Sequence, residues 1–139
     1  MIILDTNVVS ELTRMTPATA VLDWLDAQPA ADVATTAITA AELLYGVARL
    51  PDGARKNALT GAVHALLTDD LDGRVEPFDA AAAAHYADLV TARERAGQPI
   101  SIPDAQIAAI CRVRRASLAT RNTSDFTGTG IDLIDPWAS

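Results

Sequence analysis

Apolar positions in this chain fall into short runs separated by longer amphipathic stretches. Met1-Ile2-Ile3-Leu4 is a run of four that stops abruptly at Asp5, Thr6 and Asn7. A short uninterrupted apolar run suits a strand buried on both faces, as in a parallel sheet. Val8 to Arg14 then predicts a short helix with Asn7 as its cap. A second helix is expected from Pro17 through Val21, Leu22, Trp24 and Leu25, ending near Pro29. Asp32 to Ile38 is rich in β-branched residues and reads as a strand. Thr39 opens a helix that carries Leu43, Leu44, Val47 and Leu50 at helical spacing. Pro51-Asp52-Gly53 is a turn, and Ala54 to Leu67 is a further helix.

The second half repeats the alternation. Arg74 to Phe78 is a short strand, and Pro77 places it near a sheet edge because proline cannot donate to a ladder. Ala80 to Ala96 is an alanine-rich helix closed by Gly97, the residue suited to a left-handed position after a helix. Ser101 starts a helix that runs to about Arg115, followed by strands at Ala116 to Thr120 and Ile131 to Ile134. Strand and helix in alternation predict an α/β fold, a three-layer sandwich with a mostly parallel central sheet of about five strands flanked by helices. A length of 139 residues implies a single domain over residues 1–139.

Composition narrows the picture. Half the residues are hydrophobic, so a packed core is expected and disorder is not. No apolar run approaches the ~20 residues of a membrane span, and Cys111 is the one cysteine, which leaves no disulfide framework or cysteine metal cage. A soluble, cytoplasmic protein is expected, with no membrane association. The net charge of −7 argues against a broad phosphate-binding surface, unless carboxylates are present to hold divalent cations. Ten of the eleven basic residues are arginine, Lys56 being the exception.

The acids therefore carry the functional question. Asp5 ends a predicted strand, at the carboxyl edge where open α/β sheets bind ligands. Glu42 lies three residues after Thr39 and Asp104 three after Ser101. Each pair is explained by a capping box, with the hydroxyl at the helix start and the acid at its third position. Against that, Asp104 shares a stripe with Ile107, Ala108 and Cys111, which aligns a carboxylate with core-facing residues. Asp125 stands in the polar loop after Thr120, together with Asn122, and an ordinary turn accounts for it singly. Jointly, four acids at strand ends and helix starts imply a cluster that must hold protons or cations. Oxygen donors in that number suit Mg²⁺ or Mn²⁺, and such sites hydrolyse phosphodiesters.

Other residues compete weakly. His64 and His85 have no second histidine at ligand spacing, Cys111 reads as a small buried hydrophobe, and Trp24 and Trp137 as packing residues. Gly46, Gly53 and Gly128 form no phosphate-cradling pattern. Arg93, Arg95, Arg112, Arg114 and Arg115 read as solvated helix ends, leaving Arg121, beside the acids, as the best phosphate candidate.

These motifs resemble a PIN-domain ribonuclease, and more narrowly the VapC toxins of toxin–antitoxin pairs, including the FitB-like branch. The matching residues are Ile3-Leu4-Asp5-Thr6-Asn7-Val8, Ala37 to Leu43 with Gly46, Pro103 to Ala109, Leu118 to Asn122 with Asp125-Phe126, and Ile134-Asp135-Pro136-Trp137. The resemblance implies metal ligation and catalysis by Asp5, Glu42 and Asp104, with Asp125 or Asn122 completing the site and Thr6 and Asn122 as supporting hydrogen-bonders. It further implies Mg²⁺ or Mn²⁺, endonucleolytic RNA cleavage, a homodimer, and a VapB-like antitoxin that blocks the groove and alone contacts DNA. Two alternatives remain: a non-catalytic RNA- or protein-binding module, and a phosphatase of the haloacid-dehalogenase type. The phosphatase would want an acid where Asn7 stands.

Overall fold

The computed structural model describes residues 1–138. Its centre is a five-stranded sheet in the order β3-β2-β1-β4-β5, with every pairing parallel. The strands are β1 (Ile2–Leu4), β2 (Val33–Thr36), β3 (Val75–Glu76), β4 (Ser117–Ala119) and β5 (Leu133–Ile134). The strand before Asp5 is thus the middle one, and the Pro77-terminated strand is at an edge, as its proline requires. Register pairs Ile3 with Ala34 on one side and with Leu118 on the other.

The two faces of the sheet are read from alternate residues. Ile3 and Leu118 enter one core with Ala82 and Leu89 of helix α5 (Ala80–Arg95) and with Ala105, Ile107, Ala108 and Cys111 of helix α6 (Ile102–Arg114). Leu4 and Ala119 enter the opposite core with Val8 and Val9 of α1 (Thr6–Leu12), Val21 of α2 (Thr19–Asp26), and Leu66 and Leu71. Helices α3 (Ala37–Ala48) and α4 (Ala54–Ala65) complete the flanks, and α4 runs on into a wider π-helical turn over Leu66–Asp70. This is the expected three-layer α/β sandwich. Gly97 takes φ +70° after α5, the left-handed position that glycine occupies without steric cost.

Two helix starts differ from the sequence reading, for one reason. The capping residue is the last one in extended conformation, and strand length decides which that is. Asp5 (φ −72°, ψ 163°) caps α1 in place of Asn7, and Thr36 (φ −114°, ψ 159°) caps α3 in place of Thr39. The run of β-branched residues suggested a strand through Ile38, whereas pairing stops at Thr36 and Ile38 is already helical. Strand β5 is also shorter than expected, beginning at Leu133.

Candidate functional site

The central strand delivers Asp5 to the carboxyl edge of the sheet. Its backbone N–H donates to the Ala119 carbonyl at 2.9 Å, which fixes its height against β4. Its side chain is 4 % exposed. Oδ1 accepts from the Thr6 N–H at 2.8 Å, and Oδ2 accepts from the Thr120 hydroxyl at 2.8 Å and from the Asn7 amide at 3.5 Å. Those three donors leave at least one of the carboxylate's roughly four acceptor positions unfilled. Asn7, freed from capping, is a brace: Nδ2 donates to the Thr120 Oγ1 at 3.3 Å and Oδ1 accepts the Arg121 N–H at 3.2 Å.

Glu42 reaches the same place from α3. Because that helix starts at Ala37, Glu42 is its sixth residue and the capping-box explanation no longer applies to it. The cap is Thr36, whose hydroxyl accepts the Thr39 N–H at 3.1 Å. Thr6 and Thr39 share a hydroxyl hydrogen bond of 3.1 Å, and the Thr6 hydroxyl donates to Glu42 Oε1 at 3.3 Å. Thr6 thus bridges the neighbourhoods of Asp5 and Glu42. Glu42 itself is exposed.

Asp104 sits in the first turn of α6, where Ser101 caps the helix and accepts the Asp104 N–H at 3.3 Å. Here the capping explanation holds for the backbone. It does not account for the half-buried carboxyl or for the buried Ile107, Ala108 and Cys111 beneath it. Asp125 is exposed on a short 3₁₀ turn, Thr123–Phe126, and faces Asp104 across a cleft of about 210 Å³ that Arg93, Pro99, Ile100 and Ser101 also line. Asn122 is exposed, its N–H donating to Thr120 Oγ1 at 3.1 Å. The Arg121 guanidinium lies 4.9 Å from the centre of the Trp137 ring, a cation–π contact that holds it beside Asn7.

Electrostatics joins the four acids in a chain. Burial pushes the Asp5 carboxyl above its ordinary value; the Thr120 and Thr6 hydrogen bonds oppose the shift, and the charges of Asp104 and Glu42 add to it. Asp104 is likewise raised, first by burial and then by Asp125, with Ser101 and Arg93 working against the shift. Among the described residues, no three such side chains converge closely enough to hold an ion as they stand. Asp104 and Asp125 line one cleft, and Asp5 and Glu42 are linked to them electrostatically without all four closing on one point, as expected of like charges. The donor set is all oxygen and fits a small hard cation that retains some of its waters.

Linkage gives this a sign. A folded state that raises Asp5 and Asp104 above 3.8 binds their protons more readily than the unfolded chain does. Stability of the metal-free protein should therefore increase as pH falls from neutral through those raised values. Glu11 acts in the opposite direction at lower pH. Its carboxyl, 7 % exposed, is held below 4.5 chiefly by the Ala18 N–H and then by Arg14, so its contribution is lost on further acidification. Thermal melts from pH 7 to pH 3 should pass through a maximum, and a monotonic fall would contradict the raised acids.

Arg93 corrects the sequence reading. Instead of a solvated helix end it is 7 % exposed, with Nε donating to the Gln98 carbonyl at 2.6 Å and one terminal nitrogen donating to the carbonyls of Asp125 at 3.1 Å and Thr127 at 2.6 Å. It ties the end of α5 to the turn that carries Asp125. Thr120, which the sequence reading passed over, is fully buried and orients Asp5; its signal was a hydroxyl directly after an apolar strand. Cys111 is the expected buried hydrophobe, its thiol pushed up to about 12 by burial.

Comparison with known proteins decides the family. A family model for the PIN domain matches residues 2–129. The chain belongs to the PIN-domain family. Within it, the likeness is to VapC- and FitB-type toxins. The chain is 42 % identical to the VapC ribonuclease Y4jK of Sinorhizobium fredii over 99 % of this chain and 98 % of that one. It is 39 % identical to the toxin FitB of Neisseria gonorrhoeae over 99 % of both. Among solved structures, FitAB bound to an IR36 DNA fragment superposes with a TM-score of 0.91 at 38 % identity, over 99 % of this chain and 96 % of that one. The PIN-domain sheet is thus the scaffold on which the acids above are placed. Among the described residues, no helix is long and apolar enough to cross a membrane.

Proposed function

We propose that this chain is a metal-dependent endoribonuclease, the toxin of a type II toxin–antitoxin pair, and that Asp5, Glu42, Asp104 and Asp125 hold its cation and carry its chemistry. The observation that supports this most directly is the state of Asp5. It is a carboxyl at the carboxyl edge of the middle strand, pushed above its ordinary value by burial and, to a smaller extent, by two further acids. Keeping a charge there is costly unless a cation compensates it.

The cation is Mg²⁺ or Mn²⁺, by the oxygen-only donor set. When bound, it would supply Lewis acidity, making water a usable nucleophile at neutral pH and shielding charge on the phosphate. Hydrolysis then forms one P–O bond from water and breaks one ester P–O bond, the leaving oxygen taking a proton. The chain's own residues set the geometry for this. Thr120 and Asn7 hold Asp5, the Thr6 hydroxyl holds Glu42, and Arg93 holds the turn bearing Asp125. Asn122 supports the same edge, and Arg121, stacked on Trp137, offers a guanidinium to the RNA phosphates.

An antitoxin partner is supported by the solved complexes of FitAB and of VapBC from Rickettsia felis, in both of which the pair is bound to DNA. The proposal gives this chain a VapB-like antitoxin covering the acidic groove, contact with DNA only through it, a homodimeric toxin, and a cytoplasmic RNA substrate. The phosphatase alternative falls away, because the chain belongs to another family and position 7 is an amide engaged as a brace.

Purified protein freed of antitoxin should cleave RNA when Mg²⁺ or Mn²⁺ is added and stop in chelator. E42Q should lower the rate by about a hundredfold or more with little change in melting temperature, since Glu42 is exposed and its side chain accepts a single hydrogen bond, from Thr6, among the described residues. Cleavage that survives both chelator and E42Q would overturn the mechanism. No cleavage under any condition, together with RNA binding, would favour the non-catalytic module.

A further inference from the structure

A second cavity lies in the same helical layer as Asp104, at the opposite end of the strands from the acids. It has a volume of about 310 Å³ and is lined by His85, Cys111, Arg112, Arg115, Ala116, Gly130, Ile131 and Asp132. Ala116 precedes β4 and Asp132 precedes β5, so the cavity opens at the amino edge of strands whose carboxyl edge carries Thr120 and the Asp125 turn. Along α6, Arg112 is eight residues from Asp104, roughly 12 Å at the rise of an α-helix.

Three observations there point to an anionic ligand. The Nδ1 atom of His85 is buried without a hydrogen-bond partner, the one such side-chain nitrogen or oxygen among the described residues. Among the described residues, neither Arg112 nor Arg115 has a carboxylate within 4.0 Å, although Arg114 between them pairs with Glu76 at 2.8 Å. Third, the two unpaired guanidiniums, three residues apart, line the same cavity and repel unless an anion lies between them. Attraction of cations to a helix C-terminus accounts for arginines in the last turn. It does not account for a buried imidazole nitrogen or for the cavity that His85 helps to line.

We propose that this cavity is a phosphate-binding site, with Arg112 and Arg115 as the charge-carrying donors and His85 in its wall. Arginine forks suit tetrahedral oxyanions, and two of them at one cavity can grip a single phosphate from two directions. Asp132 on the rim disfavours a fully charged free anion and favours one shielded within a larger molecule. That makes an RNA backbone phosphate the preferred source, giving an otherwise acidic protein a hold on its substrate away from the cleavage centre. That choice of source rests on the ribonuclease reading; the phosphate site itself does not.

The chain's two histidines provide the readout. In metal-free full-length protein, inorganic phosphate should move the imidazole proton resonances of His85 with saturation, while those of His64, exposed on α4, remain still. The double variant R112Q/R115Q should weaken this response at least tenfold, and its far-ultraviolet circular dichroism should match the parent because neither side chain forms an ion pair among the described residues. A short single-stranded RNA, titrated in chelator, identifies the source. Saturation of His85 at lower concentration than with inorganic phosphate assigns the site to RNA, and the reverse order assigns it to free phosphate compounds. Equal, unsaturating shifts of both histidines, or a double variant that titrates like the parent, would overturn the site. Because no cleavage is measured, that failure would leave the ribonuclease proposal standing.

Discussion

D5N should reduce RNA cleavage by about a thousandfold or more and at the same time raise the melting temperature of the metal-free protein. The two effects have one origin. Asp5 is buried, its carboxyl is raised above the ordinary range, and Asp104 and Glu42 contribute to that shift. The folded chain therefore carries a charge that it would shed if it could. An asparagine keeps the shape and can still accept the Thr6 N–H as a helix cap. It forfeits the charge-assisted bond from Thr120, a loss of about 1–2 kcal/mol that the relief of burial and of two like charges outweighs. Catalysis loses its central ligand, and removal of a metal contact of that kind is expected to cost several kcal/mol of transition-state stabilisation. Activity assays and calorimetry on the same preparation decide it. An active D5N protein removes Asp5 from the reaction, and a destabilised one removes the charge argument. Added Mg²⁺ should raise the melting temperature of the parent more than that of D5N, because an ion that binds only the folded state stabilises it by mass action.

R93M should be the most destabilising single change in the site region. It strips the donors from three backbone carbonyls, those of Gln98, Asp125 and Thr127, in a place that is nearly closed to water. A net cost of about 3 kcal/mol follows from leaving such acceptors without partners, which is roughly 6–12 °C in melting temperature for a chain of this size. The acids should register the change as well. Arg93 is the cation that holds the Asp104 carboxyl down, so its loss should raise that carboxyl further and weaken Mg²⁺ or Mn²⁺ binding by releasing the Asp125 turn. R93K should recover little, since one ammonium cannot span three carbonyls as a planar fork does. A melting temperature within 2 °C of the parent would contradict this account.

Much of the architecture was present in the residue pattern. The apolar run before Asp5, the proline-limited strand at Val75–Glu76 and Gly97 after the long helix each prescribe a local conformation through the side chain itself. For that reason the alternation of strands and helices, and with it the parallel sandwich, could be read before any contact was known. The acids Asp5, Glu42, Asp104 and Asp125 could be named from the sequence as candidates, and the fold links them electrostatically. Only the fold decided which bland explanations survive. The capping box for Glu42 failed because β2 stops at Thr36, a matter of how far the strand stays paired with its neighbour. The box for Asp104 held in part, because Ser101 does cap its helix.

Arg93, Thr120 and the His85 cavity lay beyond the sequence for a common physical reason. An arginine near a helix end, a threonine after a strand and a histidine on an alanine-rich helix have no distinctive local pattern. Their roles depend on partners 32 to 115 residues away in the chain, or on the lack of any partner at all. What the sequence determined was which elements form and which four acids are the candidates for chemistry. Tertiary packing decided which of their neighbours are buried, and burial is what turns an ordinary hydroxyl or guanidinium into a positioning group.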